Sequence, residues 1–539
     1  MSMDLTSTRR VLLGGAAAAA FGPTMPADAQ RETVLRVAMT LSDIPYLSGQ
    51  PDQGGEGWRF VGVTLHDMLI NWDLTQRDKP STLIPGLAQE WEADRADRTR
   101  WIFKLRPNVR FHDGSPFNAD AVLWNMQKLM DPQAPHYDSR QAAQTYGRMN
   151  LMAGAEKLDD LAVVLRTKVP DALLPWYFAR IMMSSPAQWE KVGRSWEAYA
   201  RAPSGLGPWK FDRLVPRQRL ELLKNTDYWN PARVPKTDRL MLLPIPDANT
   251  RVAALLSGQC DFIEAPPPDA SARLKAAGMQ IVTNAYQHTW PWFLSRVDGA
   301  PTTDLRVRRA LNLAIDRDGI VGLLEGFGAP SVGNVPPSHP WFGEPTWRIR
   351  HDPVEAKKLL AEAGYSPRNP LKLKVTISTS GSGQMQPQIM NEAIQEMMRA
   401  VGVEVTFEVI DWSTMTQRRA QGAQAADQMG ISGLNNSWSW VDPDFGFTST
   451  LASDRAAPRG NNWCNVKLPE FDRLSAAIRA EFDQEKQNML IAELHARMVE
   501  DATWLFVVHD LNPRAMSARV KGFIQAQNWI QDLTPIRMT

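Results

Sequence analysis

At 539 residues the chain is too long for one ordinary hydrophobic core, and a content of 43% hydrophobic and 22% charged residues excludes a disordered or fibrous polymer. Sixty basic residues against fifty-nine acidic leave a net charge of +1, so nucleic acid and anionic membranes exert no bulk attraction and no nucleic-acid partner is expected. Two or three folded domains are expected from the length.

The N-terminus reads as a processing segment. Arg9-Arg10 stands ahead of a mildly apolar run, Gly14 to Phe21, and Ala27-Asp28-Ala29 supplies a small-x-small cleavage pattern. Residues 1–29 are therefore expected to be a twin-arginine (Tat) export signal. The apolar run is too short to span a bilayer and no cysteine near the cut invites lipidation, so the product is expected to be soluble and periplasmic. Cys260 and Cys464 lie far apart, neither in a CxxC pair, and read as free or buried thiols. The eight histidines form no HExxH motif or close cluster, so neither a metal site nor a cofactor is expected.

Taken in order, Val34 to Met39 is an opening strand, followed by a Gly-rich loop, Ser48 to Gly57, that lacks a phosphate-binding motif and reads as a turn near a cleft. Trp101, Phe103 and Leu105 share one face of a strand. Val109 to Gly114 reads as a second strand closed by an Asp-Gly turn, and Asn118 caps a helix carrying Val122, Met126 and Leu129. His112, beside a turn aspartate with no nucleophile in reach, reads as structural. Leu240 to Leu243, a helix capped by Asp247 and ended by Gly258, and Asp261 to Ile263 form a βαβ unit with parallel strands. The second half repeats the logic: helices capped at Asp304 and Asp352, an alternating strand through Leu371, Leu373, Val375 and Ile377, a Met-rich helix stopped by Gly402, and a strand through Val403, Val405, Phe407 and Val409. The Met stripe reads as core. Trp504 to Val508 and Val520 to Ile524 are strand-like and are expected to return to the first body.

The stretch Asn435 to Phe447, N-N-S-W-S-W-V-D-P-D-F-G-F, packs tryptophans and carboxylates around a proline. That composition suits a cavity wall or a loop whose aromatics fold back onto the body.

Several blocks resemble the extracellular solute-binding proteins of ABC importers, family 5, the dipeptide, oligopeptide and nickel type. They are L-A-Q-E-W-E-A-D with W-I-F-K-L-R-P-N-V-R-F-H-D-G-S-P-F-N-A-D-A-V, then G-L-G-P-W-K-F with N-T-D-Y-W-N-P, P-I-P-D-A-N-T-R-V-A-A-L-L-S-G, L-R-V-R-R-A-L-N-L-A-I-D-R-D-G-I-V and D-P-V-E-A-K-K-L-L-A-E-A-G. The resemblance implies an α/β, bilobal periplasmic binding protein fold of the cluster C type, with a subdomain inserted in the first lobe. The expected limits are 30–74, 201–288 and 508–539 for lobe I, 75–200 for the insertion and 289–507 for lobe II. It also implies a ligand enclosed by hinge closure and delivered to ABC permease subunits in the inner membrane, by a monomer. Trp91, Trp101, Trp209 and Trp229 fall in blocks that look structural.

The family's counterpart of Asn435 to Phe447 resembles G-W-x-x-D-x-x-D/E-P, whose first acid pairs with a peptide's amino terminus. Anchored on Asp442-Pro443, that acid's position falls on Ser439, which cannot form the ion pair. The candidate ligand-binding residues are Trp290, Trp292, Asn436, Ser437, Trp438, Ser439, Trp440 and Asp442. The ligand is a small organic solute, such as an opine, a sugar derivative or an aromatic compound, or a short peptide. Two alternatives are an exported hydrolase using Asp442 and Asp444, and a carrier of a metal or haem complex.

Overall fold

The computed structural model describes residues 32–381 and 383–539; the expected export signal, 1–29, lies outside them. Two seven-stranded sheets organise the body. The first runs in the order Gln280–Val282, Arg514–Met516, Phe262–Glu264, Val34–Met39, Arg239–Pro244, Arg219–Lys224, Trp209–Val215. The opening strand lies between the two strands of the expected βαβ unit and is parallel to both, Val37 pairing with Leu242 on one side and Phe262 on the other. The crossover helix Ala248–Leu256 starts where the Asp247 carboxylate accepts the Thr250 N–H, and Gly258 ends the turn at φ 75°. Alternation then covers both sheet faces. Leu35, Val37, Leu240 and Leu242 pack on one side, whereas Ala38 and Ile263 pack against Val252 and Leu255 on the other.

The second sheet runs Gly328–Pro330, Trp504–Asp510, His288–Leu294, Gly433–Asn435, Leu371–Ser378, Val403–Ile410, and the short strand Trp438–Ser439 also pairs with His288–Leu294. Here the βαβ reading holds directly: Leu371–Ser378 and Val403–Ile410 are adjacent and parallel, joined by the helix Pro387–Ala400. Met390, Ile394 and Met398 of that helix are fully buried against the sheet. A separate four-stranded sheet, in the order Ala88–Ala93, Arg100–Leu105, Ala162–Thr167, Met152–Asp159, forms the inserted subdomain with the helices Ala119–Met130 and Ser139–Met149.

Two expectations change. Val109 to Gly114 makes no strand: the segment carries one bridge, Arg110 to Pro116, because the Asp-Gly turn closes before a second pair forms. The chain rejoins the first sheet through Arg514–Met516, whereas Val520–Lys521 pairs only with Arg537–Met538. The chain therefore crosses between sheets twice, between Val282 and His288 and between Asp510 and Arg514. Both cysteines are free and buried.

Candidate functional site

Between the inserted subdomain and the second lobe lies a cavity of about 230 Å3. Three arginines line it. Arg148 comes from the helix Ser139–Met149, Arg180 from the turn after the helix Leu174–Phe178, and Arg419 from the helix Trp412–Gln421 of the second lobe. No carboxylate lines the cavity among the described residues.

Each guanidinium rests on an aromatic face. Arg180 lies 4.0 Å from the Trp58 ring centroid and 5.2 Å from that of Phe445, Arg148 lies 5.0 Å from Phe445, and Arg419 lies 5.0 Å from Trp438. Such contacts contribute about 2 kcal/mol when desolvated, which helps to offset the cost of burying three like charges. Trp438 is itself fixed: it stacks on Phe445 at 4.3 Å and donates its indole N–H to the Phe445 carbonyl. The aromatics of the cavity thus hold arginines in place.

The buried carboxylate of Asp442 sits behind this wall. It accepts a hydrogen bond from Arg148 at 3.2 Å, lies 3.9 Å from Arg180, and accepts the Phe445 N–H at 2.6 Å. One carboxylate therefore serves two arginines. The buried Arg180 Nε and Nη1 and Arg148 Nε have no hydrogen-bond acceptor among the described residues. Burial, followed by the neighbouring charge of Arg148, pushes the Arg180 guanidinium down to about 9, and burial pushes Arg419 down to about 10. Both remain cationic at neutral pH, so the arrangement presents fixed positive charge and unused N–H donors, which is the chemistry that can receive an anion.

Of the residues singled out in the sequence, Asn436, Ser437, Trp438 and Ser439 line the cavity. Ser439 has no acid beside it in the cavity wall; its hydroxyl accepts the Val441 N–H at 3.3 Å. Asp442 is displaced one layer behind, as the anchor of the arginines. Trp290 and Trp292 are corrected to core. They are fully buried in the second lobe because the strand His288–Leu294 is covered on both faces, and Trp292 donates its indole N–H to Asn391. Trp440 is likewise turned inward, edge-on to His339 at 4.9 Å. Arg148, Arg180 and Arg419 carry no sequence signal of their own. They come from three separate elements, and only the fold brings them together.

Asp442 and Asp444 do not form a catalytic pair. Asp444 faces Arg479 and accepts from the Thr448 hydroxyl, while Asp442 faces Arg148, so the two carboxylates point at different partners. His112 is structural: its Nε2 bonds the Gly207 carbonyl and its Nδ1 accepts the Gly205 N–H.

A larger cavity of about 740 Å3 lies against the same site on the side of the crossing strands, where Tyr286, Asp510, Asn512 and Arg514 reach it. The Trp529 side chain borders both cavities.

Two α/β lobes facing one another across a cationic cavity define the class: a bilobal periplasmic binding protein. The family model "Bacterial extracellular solute-binding proteins, family 5 Middle" matches residues 82–458. Heme-binding protein A of Haemophilus influenzae is 28% identical over 471 residues, covering 84% of this chain and 84% of that protein. Di/tripeptide-binding protein 2 of Pseudomonas aeruginosa is 27% identical over 476 residues, covering 85% and 87%. The crystal structure of a dipeptide-binding protein from Pseudoalteromonas sp. SM9913 in complex with Met-Leu superposes with a TM-score of 0.81 at 23% identity, covering 94% of this chain and 100% of the other.

The chain belongs to the bacterial extracellular solute-binding proteins, family 5. It is a substrate-binding component of an ABC importer, not an enzyme. No helix among the described residues is long and apolar enough to cross a membrane.

Proposed function

We propose that this receptor takes a small organic solute through an anionic group, a carboxylate or its equivalent, held by Arg148, Arg180 and Arg419. The observation that carries the reading is the imbalance at the cavity, which is lined by three guanidiniums and by no carboxylate among the described residues, while Asp442 behind the wall pairs with Arg148 and Arg180 alone. Ser439 adds to it: at the position where the resemblance places the acid for a peptide's amino terminus, this chain has a neutral hydroxyl. An ammonium group buried among three guanidiniums would meet repulsion and no partner. A planar carboxylate would meet unused donors in fork geometry. The names of the relatives favour a second reading, a short peptide docked through its C-terminal carboxylate.

Calorimetric titration separates the two. Small carboxylates without a free amine, such as N-acetyl amino acids and sugar acids, are expected to bind more tightly than free dipeptides. Tighter binding of free dipeptides than of their N-acetylated forms would overturn the first reading.

Binding draws the lobes together about the two crossing segments, and the loaded form is what the permease subunits engage. The chain leaves the cytoplasm by the twin-arginine route, is cut after Ala29, stays unlipidated and acts as a monomer. The sequence Ser7 to Leu13 supports the route. Replacing Arg9 and Arg10 with lysine is expected to leave the uncut precursor inside the cell; normal export of that variant would refute it.

A further inference from the structure

We infer that Trp529 is the partition that sets the length of the solute, closing the arginine cavity off from the larger cavity beside it; this rests on the anion-receptor reading above. The indole borders both spaces and is nearly buried, at 7% exposure. Its position is fixed from every side. A Cβ on Gly55 of the first lobe would lie 1.7 Å from the indole Nε1, and a Cβ on Gly383 of the second lobe would lie 2.6 Å from its Cη2. Only glycine admits the ring at either contact, since real side chains do not approach so closely. Tyr286 and His288 pack at 5.2 and 5.3 Å, and the Arg59 guanidinium lies 5.1 Å from the ring while donating its Nε–H to the Trp529 carbonyl.

The partition divides two unlike spaces. On one side lie three guanidiniums with no carboxylate among the described lining residues; on the other, Glu56, Glu264 and Asp510 stand among Arg59, Arg251 and Arg514. A solute held by its anionic end on Arg180 therefore has about 230 Å3 to fill before it meets the indole. That is below the roughly 300–1,000 Å3 of sites for drug-sized ligands, and it suits a small solute. Removing the ring joins this space to the 740 Å3 beyond it, which would accept the tail of a longer one.

The test uses the whole exported chain, freed of bound solute, as wild type, Trp529→Ala and Trp529→Phe. Each protein is mixed with equimolar α,ω-dicarboxylates of graded chain length together with the matching α,ω-diamines, and the retained compounds are read by mass spectrometry after gel filtration. The wild type is expected to keep only short diacids, Trp529→Ala to extend the retained series to longer ones with at least a tenfold gain for them, and Trp529→Phe to fall between. Trp529→Phe guards against misfolding, since it keeps an aromatic ring on Tyr286. An identical length cut-off in wild type and a folded Trp529→Ala overturns the partition. Retention of diamines in place of diacids overturns the anion reading while still reporting the cut-off, and retention of neither class by any of the three proteins overturns both.

Discussion

Asp442 shows how one side chain can be essential to the proposed binding site without lining it. Its carboxylate is the counter-charge that lets Arg148 and Arg180 be buried together. Asp442→Asn keeps an acceptor for the Phe445 N–H but leaves both guanidiniums uncompensated, so it is expected to cost about 3 kcal/mol in urea unfolding. Arg180→Gln removes two N–H donors that have no hydrogen-bond acceptor among the described residues, and the relief of a buried charge beside Arg148 offsets the loss of its contacts with Asp442 and Trp58, so its cost should appear in binding rather than in stability. A carboxylate probe is expected to lose about 30-fold or more in affinity with the unfolding midpoint nearly unchanged.

The histidines give a pH dependence. His495 uses Nε2 to accept the Asn334 and Val335 N–H groups and Nδ1 to bond the Phe342 carbonyl, so it is held as one neutral tautomer. Burial pushes it, His66 and His509 down to about 4. Their folded values lie below the ordinary 6.5, so the unfolded chain binds more protons as pH falls. Stability is therefore unaffected above about pH 6.5 and declines from there to pH 4, by roughly 3 kcal/mol for each such histidine. Urea midpoints measured across that range check the slope.

At the scale of the element, the parts legible in the sequence are those whose signals are local. Asp247, Asp304 and Asp352 each accept the backbone N–H that their place before a helix predicts, and the Met stripe of Pro387–Ala400 faces the core as its spacing requires. The stretch Asn435 to Phe447 divides along the same line. Trp438 reaches the cavity and Trp440 does not, a difference set by the pairing of Trp438–Ser439 with His288–Thr289 and by the close approach of Gly446 to Trp440. Period and composition treat the two tryptophans alike, and only the pairing separates them. Trp290 and Trp292 fail for a related reason: a strand covered on both faces has no outward side for either residue. The Gly-rich stretch expected as a turn near a cleft is helical over Gly54–Gly57, although Gly54 and Gly55 do line the cavity, and nothing in it announces Trp529. Gly55→Ala is expected to lower the thermal midpoint by several degrees and to weaken ligand binding by tenfold or more, as calorimetry would show, because the added methyl needs the space of an indole that is packed on its other sides as well.

Over the whole molecule, contacts at the rim of the cavity and beyond it tie the lobes together. Arg455 of the second lobe donates to Asn150 Oδ1 at 2.9 Å and to the Gly147 carbonyl, Asn150 in turn donates to the Arg459 carbonyl, and Arg479 bonds Tyr177. These contacts exist only when the lobes meet, so removing them should shift the population of the joined form while leaving all three guanidiniums of the cavity in place. Arg455→Ala is expected to raise the dissociation constant roughly 5- to 150-fold and to enlarge the radius of gyration seen by small-angle scattering at subsaturating ligand.

The two crossings carry a further consequence. Val282 pairs with Arg514 on one side of the passage and Trp290 with Val508 on the other, so the second lobe enters and leaves through neighbouring strands as one unbroken length of chain. A segment with adjoining ends can be exchanged as a single cassette between related genes. Such an exchange would carry away Arg419 and the wall from Asn436 to Ser439 but leave Arg148 and Arg180 behind. The charge clasp is thus written half in the cassette and half in its host, and a swapped lobe that keeps the same cargo must come from a lineage in which both halves matched.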